Sequence, residues 1–93
     1  MMKEAKQYET VKLNSLKMLT REETSKLLNT SLNTLDMLRE VGVLKAIKIG
    51  KNYMYSQFAI KQFQLDYEGY ELSNLVTITN SYKQVSTLEK GKN

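Results

Sequence analysis

The 93-residue chain contains no cysteine and no histidine, and it has only four glycines. Without cysteine or histidine it has no disulfide, no Cys or His zinc ligand, no cysteine nucleophile and no Ser-His-Asp triad. The glycines, at positions 42, 50, 69 and 91, are too dispersed for a phosphate-binding loop. Its scattered carboxylates are best explained as solvated surface charges. We therefore expect a protein that is not an enzyme and that uses no cofactor or metal.

Long apolar segments are also missing. No stretch approaches the ~20 apolar residues of a membrane span, and the N-terminus lacks the succession of charged, apolar and small residues that marks a secretion signal. Apolar residues make up 41% of the chain and charged residues 26%, which is typical of a globular domain. We expect one small cytoplasmic domain with no membrane partner.

The chain has a formal net charge of +4, and one region of it has several lysines and no acid. Residues 43–55 contain Lys45, Lys48 and Lys51 and no acid. Such a region suits a polyanionic partner but does not identify one. Lysines also protect exposed strand edges from unwanted pairing. From the residues alone, both interpretations remain open.

A first helix is predicted to begin after Thr20. Thr20 and Glu23 have the spacing of a capping box, in which the threonine hydroxyl accepts the Glu23 N–H and the glutamate accepts the Thr20 N–H. Thr24, Leu27 and Leu28 follow with helical spacing, and we expect the helix to end near Leu28.

A second helix is predicted over residues 32–41. Ser31 is a suitable N-cap, and Gly42 ends the helix because it can adopt a positive φ. Leu32, Leu35 and Leu38 recur every third residue, so one face should be buried. Two capped helices joined by the turn at residues 29–31 form a helix-turn-helix.

A β-hairpin and a third helix are predicted next. Ile47 and Ile49 are two residues apart, as are Tyr53 and Tyr55, and the glycine-containing residues 50–52 form a three-residue link between them. Ser56 is a suitable cap for a helix running to about residue 70. In that helix Ile60 and Phe63 face the core, with Phe58 as a third candidate. The full set of residues expected in the core is Leu27, Leu28, Leu35, Leu38, Ile47, Ile49, Tyr55, Ile60 and Phe63.

The two ends of the chain are less clearly patterned. Residues 1–18 form an N-terminal extension whose apolar points allow a short docked helix or strand. Residues 73–93 form a C-terminal tail in which Leu75, Ile78, Tyr82 and Val85 have the 3-4-3 spacing of an amphipathic helix. The β-branched residues 76–79 disfavour that helix, so both alternatives stay open. The domain itself is expected to span residues 19–72.

The order of these signals resembles the excisionase-like, MerR-type winged helix-turn-helix family over residues 19–63. The matching points are Leu19-Thr20 with Glu22-Glu23, Leu27-Leu28, Ser31, Thr34-Leu35, Gly42-Val43-Leu44, Ile49-Gly50 and Ser56. The resemblance implies a mainly α fold with a small β-hairpin wing, a winged helix-turn-helix. It also implies sequence-specific binding of double-stranded DNA by a recombination accessory or transcription regulator of a phage or mobile element.

In that family mode the second helix enters the major groove, and the hairpin follows the minor groove or backbone. The N-terminal side chains of such a helix contact base edges, and free N–H groups at helix N-termini can hold phosphates. Asn33 and Thr34 could instead simply begin the helix, and Tyr53 could be a core residue. The predicted DNA contacts are Thr20, Ser31, Leu32, Asn33, Thr34, Met37, Arg39, Lys45, Lys48, Lys51, Asn52 and Tyr53.

Acidic residues in the second helix depart from the family pattern, which has basic residues near Leu32 and Asp36. Asp36 could accept a cytosine amino group or be a solvated charge. A helix so poor in bases should bind DNA weakly as a monomer, so a second copy on an adjacent site, or a recombinase, is an expected further partner. The alternative function is a winged-helix adaptor that docks on a recombinase, repressor or replication protein.

Overall fold

A computed structural model describes the chain from residue 16 to residue 92. Within this range the protein is mainly helical, with one small antiparallel hairpin. The helices are α1 (Arg21–Leu27), α2 (Leu32–Val41), α3 (Gln57–Asp66) and α4 (Leu75–Lys92), and the strands are β1 (Ile47–Ile49) and β2 (Asn52–Met54). The coarse prediction of a mainly α chain with a β-hairpin is confirmed. An element docked from residues 1–15 lies outside the described residues.

The first two helices have the predicted caps. The Glu23 N–H donates to the Thr20 hydroxyl (3.0 Å), and the Thr20 N–H donates to the Glu23 carboxylate (2.9 Å). Because the Glu23 carboxylate accepts this backbone N–H, its pKa lies below its ordinary value. The Ser31 hydroxyl accepts the Thr34 N–H (3.0 Å), and Gly42 ends α2 with φ +109°.

The link between the two strands is shorter than predicted. β1 and β2 are joined by two residues, Gly50 and Lys51, because Asn52 already pairs with Ile49. A three-residue link would pair Ile49 with Tyr53 and place isoleucines and tyrosines on one face. The observed register pairs Tyr53 with Lys48 instead, and a shift of one residue moves a side chain to the opposite face.

The predicted burial of Ile47 and Ile49 is therefore wrong: the two side chains are 55% and 54% exposed. The tyrosine side of the hairpin takes the core-facing position, and Tyr55 is completely buried. Its backbone exchanges two hydrogen bonds of 2.8 Å with Leu19, just before α1. This bridge holds the base of the hairpin against the start of the helix pair.

The centre of the core contains several of the predicted residues. Leu35, Leu38, Tyr55 and Ile60 are buried, whereas Leu28 and Phe63 are partly buried. Leu27 is 60% exposed, so its assignment to the core is wrong. The buried residues of α1 are the small Thr24 and Ser25. Because a helix rotates about 100° per residue, Leu27 and Leu28 lie on opposite sides of Thr24 around the helix axis.

The third helix is shorter than expected. It ends at Asp66 rather than near residue 70, and the buried Tyr67 caps it. Ser56 begins it as predicted, by accepting the Ala59 N–H (2.9 Å). Phe58 faces solvent and not the core.

The C-terminal tail is a helix that packs against α2. Ile78 and Val85 are buried and Tyr82 is partly buried, whereas Leu75, the first member of the 3-4-3 stripe, is exposed. Thr77, inside the β-branched run, acts in the cap: its hydroxyl accepts the N–H groups of residues 73 and 74 (2.9 and 3.0 Å). Tertiary packing and this cap outweigh the low helix propensity of the run.

Candidate nucleic-acid interface

The N-terminal turn of α2 presents polar groups at the surface. Ser31 accepts the Thr34 N–H and donates its own proton to the Thr34 hydroxyl (2.9 Å), so the Ser31 hydroxyl is used within the turn as both acceptor and donor. Asn33 is exposed, while Leu32 and Met37 are partly exposed. Asn33 is therefore the polar side chain of this turn that is best placed to meet a base edge.

The hairpin carries the positive charge. Lys48, Lys51 and Asn52 are all exposed, and the sequence contains no acid from Val41 to Leu65. The hairpin segment itself therefore carries positive charge and no acid of its own, which favours a polyanion. Lys45 is also exposed, but it borders a separate cavity of about 170 Å³ against α3 and α4.

A cleft between the start of α1 and β2 brings together four of the predicted contacts. It is lined by Thr20, Lys51, Asn52 and Tyr53, together with Arg21, Glu22 and Met54. The Thr20 N–H is already taken by the Glu23 carboxylate. A phosphate at this helix start would therefore meet a negative charge, so Lys51 and Asn52 are better candidates there than Thr20.

Asp36 is partly exposed and is paired within the molecule. It forms a two-pronged ion pair with Arg21 of α1, with N···O distances of 2.8 and 2.7 Å. The hydrogen bonds from Arg21 lower the pKa of Asp36, and the same bonds raise the pKa of Arg21. The acid that departed from the family pattern is thus paired within the molecule, and the pair joins α1 to α2.

Arg39 lies against the hairpin. Its guanidinium carbon is 3.8 Å from the centroid of the Tyr53 ring, and its side chain is only 19% exposed. The Lys48 ammonium is 5.6 Å from the same centroid. Among the predicted contacts, Arg39 and Tyr53 are therefore occupied with each other, and Tyr53 also packs against the core.

A buried polar pair lies beside this stack. Arg39 Nε and the Tyr55 hydroxyl are both buried, and neither makes a hydrogen bond of good geometry with the described residues. Burial raises the pKa of Tyr55, and the nearby Arg39 charge opposes part of that shift. The phenol is therefore neutral at physiological pH.

The sequence interpretation missed Arg21 and Tyr82. Arg21 is fifteen residues from Asp36, so no local pattern links them. Tyr82 lies over Gly42, where a β-carbon would be 3.2 Å from its ring. The only sequence signal for that contact was the 3-4-3 spacing, which predicted that Tyr82 lies on a buried helix face but not which residue it contacts.

Comparison of the chain with models of known protein families, with curated protein sequences and with solved structures gave no match. Across residues 16–92, no helix is long and apolar enough to cross a membrane. The same part of the chain contains no group of three acidic residues placed to hold a metal ion.

Proposed function

We propose that this protein is a winged helix-turn-helix that binds double-stranded DNA sequence-specifically, without catalysis. In this proposal the N-terminal turn of α2 enters the major groove, and the hairpin contacts the adjacent backbone or minor groove. The observation that carries it is the acid-free hairpin with exposed Lys48 and Lys51, which follows a capped helix pair whose exposed N-terminal turn offers Asn33.

The internal pairing of Asp36 supports the proposal. A free carboxylate on α2 would repel phosphates and weaken binding. Because Arg21 neutralises this carboxylate within the molecule, α2 has less net repulsion than its composition indicates. From the resemblance, we propose that it is a recombination accessory or transcription regulator of a phage or mobile element, acting in the cytoplasm as the sequence analysis expects. A second copy or a recombinase would be its partner on DNA.

Selection of bound sequences from a random DNA pool, followed by affinity measurements at several salt concentrations, tests this function. Replacing Lys48 and Lys51 by Glu should weaken binding to every sequence and reduce the salt dependence by about one unit per lost phosphate contact. Asn33→Ala should instead change the preferred sequence. Wild-type protein that selects no sequence and binds no duplex at low salt would exclude the function.

The lysine variant needs a control for net charge. Lys61 and Lys83 are exposed and lie outside the hairpin, on α3 and α4. Their replacement by Glu changes the net charge by the same amount. We expect this control to retain most of the affinity, and equal losses in both variants would show that the hairpin has no particular role.

A second candidate function, a protein-interaction adaptor, is favoured by a different surface. Leu27, Leu19 and Ile60 line an open groove between α1 and α3, together with Lys17 and Lys61. The predicted α4 stripe does not serve here, because Ile78 and Val85 pack inside the chain. A stable recombinase or repressor complex that is lost in Leu27→Ser, with no measurable DNA affinity, would favour this function.

A further inference from the structure

The contact between Arg39 and Tyr53 joins the two parts of the proposed DNA surface. Arg39 lies in the last turn of α2, and Tyr53 lies in the middle of β2. Their separation of 3.8 Å is that of a cation over an aromatic face. Because Tyr53 pairs with Lys48 across the hairpin, the same ring also lies beside the Lys48 ammonium.

Arg39 is poorly placed to contact DNA itself. Its side chain is largely covered, and its Nε is buried beside the Tyr55 hydroxyl. A second nitrogen lies 3.6 Å from the exposed carboxylate of Glu40, which would repel a phosphate at that point. The cation of Arg39 is thus held over the Tyr53 ring inside the molecule rather than offered to a phosphate.

We propose that Arg39 is a positioning residue, which sets the angle between α2 and the hairpin through the Tyr53 ring and thereby places Lys48 on the duplex. This inference rests on the proposed DNA-binding function and assigns Arg39 a role other than the direct contact expected from the sequence. Two contact regions that are held rigidly together bind DNA as one unit. A loosened hairpin therefore contributes less to the affinity for DNA, although its lysines remain.

A double-mutant cycle distinguishes positioning from direct contact. The protein is titrated onto its selected duplex at several salt concentrations as wild type, Arg39→Met, Lys48→Gln and the double variant. If Arg39 acts by placing the hairpin with Lys48, Lys48→Gln should lose about one unit of salt slope, Arg39→Met at least as much, and the double variant no more than Arg39→Met alone. If Arg39 contacts a phosphate itself, the losses should add, and the inference is overturned.

Conservative variants separate the ring contact from general damage to the fold. Tyr53→Phe keeps the aromatic face and should bind like wild type. Tyr53→Leu should show the same reduced salt dependence of DNA binding as Arg39→Met. Arg39→Lys keeps a cation over the ring and should recover part of the loss. Wild-type binding by Arg39→Met or by Tyr53→Leu would overturn the inference and leave the proposed function intact.

A measurement without DNA completes the test. Hydrogen exchange of the full chain should accelerate at the hairpin amides in Arg39→Met, while the amides of α2 and α4 keep their wild-type protection. Unchanged hairpin protection would overturn the positioning role even where binding is weakened. If wild-type protein binds no duplex, the proposed function fails, and the inference fails with it.

Discussion

Arg21 and Asp36 form the most complete ion pair among the described side chains. The two nitrogens of Arg21 reach both oxygens of Asp36, a geometry that lysine cannot reproduce. Because the pair is partly exposed, it contributes little to the free energy of unfolding, and its main effect is to neutralise the charge of an acid on α2. Its consequence for function is electrostatic: a neutral α2 beside a positive hairpin.

Removing Arg21 should raise the pKa of Asp36. In the wild type this pKa is lowered by the hydrogen bonds from Arg21. The stabilisation from ionised Asp36 is therefore present above the unfolded value of about 3.9, and it is lost as the pH falls through the lowered folded pKa. In Arg21→Met, NMR titration of the Asp36 carboxyl should give a higher midpoint, and the stability should depend less on pH in that acid range. An unchanged midpoint would contradict the pairing.

Gly42 combines a backbone requirement with a packing requirement. Its φ is +109°, and a β-carbon there would lie 3.2 Å from the Tyr82 ring. Gly42→Ala should therefore lower the free energy of unfolding by on the order of 1–3 kcal/mol in urea denaturation. Gly69→Ala is the matched control, because Gly69 has φ +89° and open space around it. Equal costs for both variants would show that the Tyr82 contact contributes nothing.

At the scale of the element, the hairpin has two unlike faces. Ile47 and Ile49 are exposed on one face, whereas Tyr53 on the other packs against Arg39 and the core. The two-residue turn is responsible, since Gly50 has the positive φ (+65°) that such a turn requires at its first position. The hairpin is thus stabilised from one side only.

Polar substitution of the exposed isoleucines should be nearly neutral for stability. Replacing Ile47 and Ile49 by Thr keeps the β-branched shape, so we expect a change within about 0.5 kcal/mol in the free energy of unfolding. Ile60→Ala, at a buried position of α3, should cost about 2–5 kcal/mol in the same chemical denaturation. A large loss from the hairpin variant would indicate that the isoleucines are covered in solution.

At the scale of the whole molecule, α4 belongs to the core. Ile78 and Val85 are buried, Tyr82 lies over Gly42, and the Ser81 hydroxyl donates to the Glu71 carbonyl (3.1 Å). Helix α2 therefore has partners on several sides: α1 through the ion pair, the hairpin through Arg39, and α4 through apolar packing. The candidate recognition helix is fixed by the rest of the chain.

Truncation after Asn74 should abolish cooperative unfolding. It removes the apolar cover of α2, and a chain of this size has little other core to compensate. Thermal unfolding followed by circular dichroism should lose its sigmoidal transition, whereas a control truncated after Leu88 should keep it. A shortened chain that still unfolds cooperatively would show that residues 16–74 fold alone, and only then could α4 be tested as a dimer element.

Local chemistry determined where α1, α2 and α3 begin and where α2 ends. Thr20, Ser31 and Ser56 each accept an N–H three residues later, and Gly42 ends α2 by adopting a positive φ. Interactions of this range are contained in a few adjacent residues, so they could be predicted from the sequence. The charge of the hairpin and the polarity of Asn33 are likewise properties of the residues themselves.

The tertiary structure alone decided which face each element buries and which charges meet. The hairpin register depends on one residue of turn length, so the burial of Ile47 and Ile49 could not be read from their spacing. Arg21 meets Asp36, and Arg39 meets Tyr53, only because the helices and hairpin pack together. Such contacts join distant parts of the chain, and no local pattern in the sequence records them.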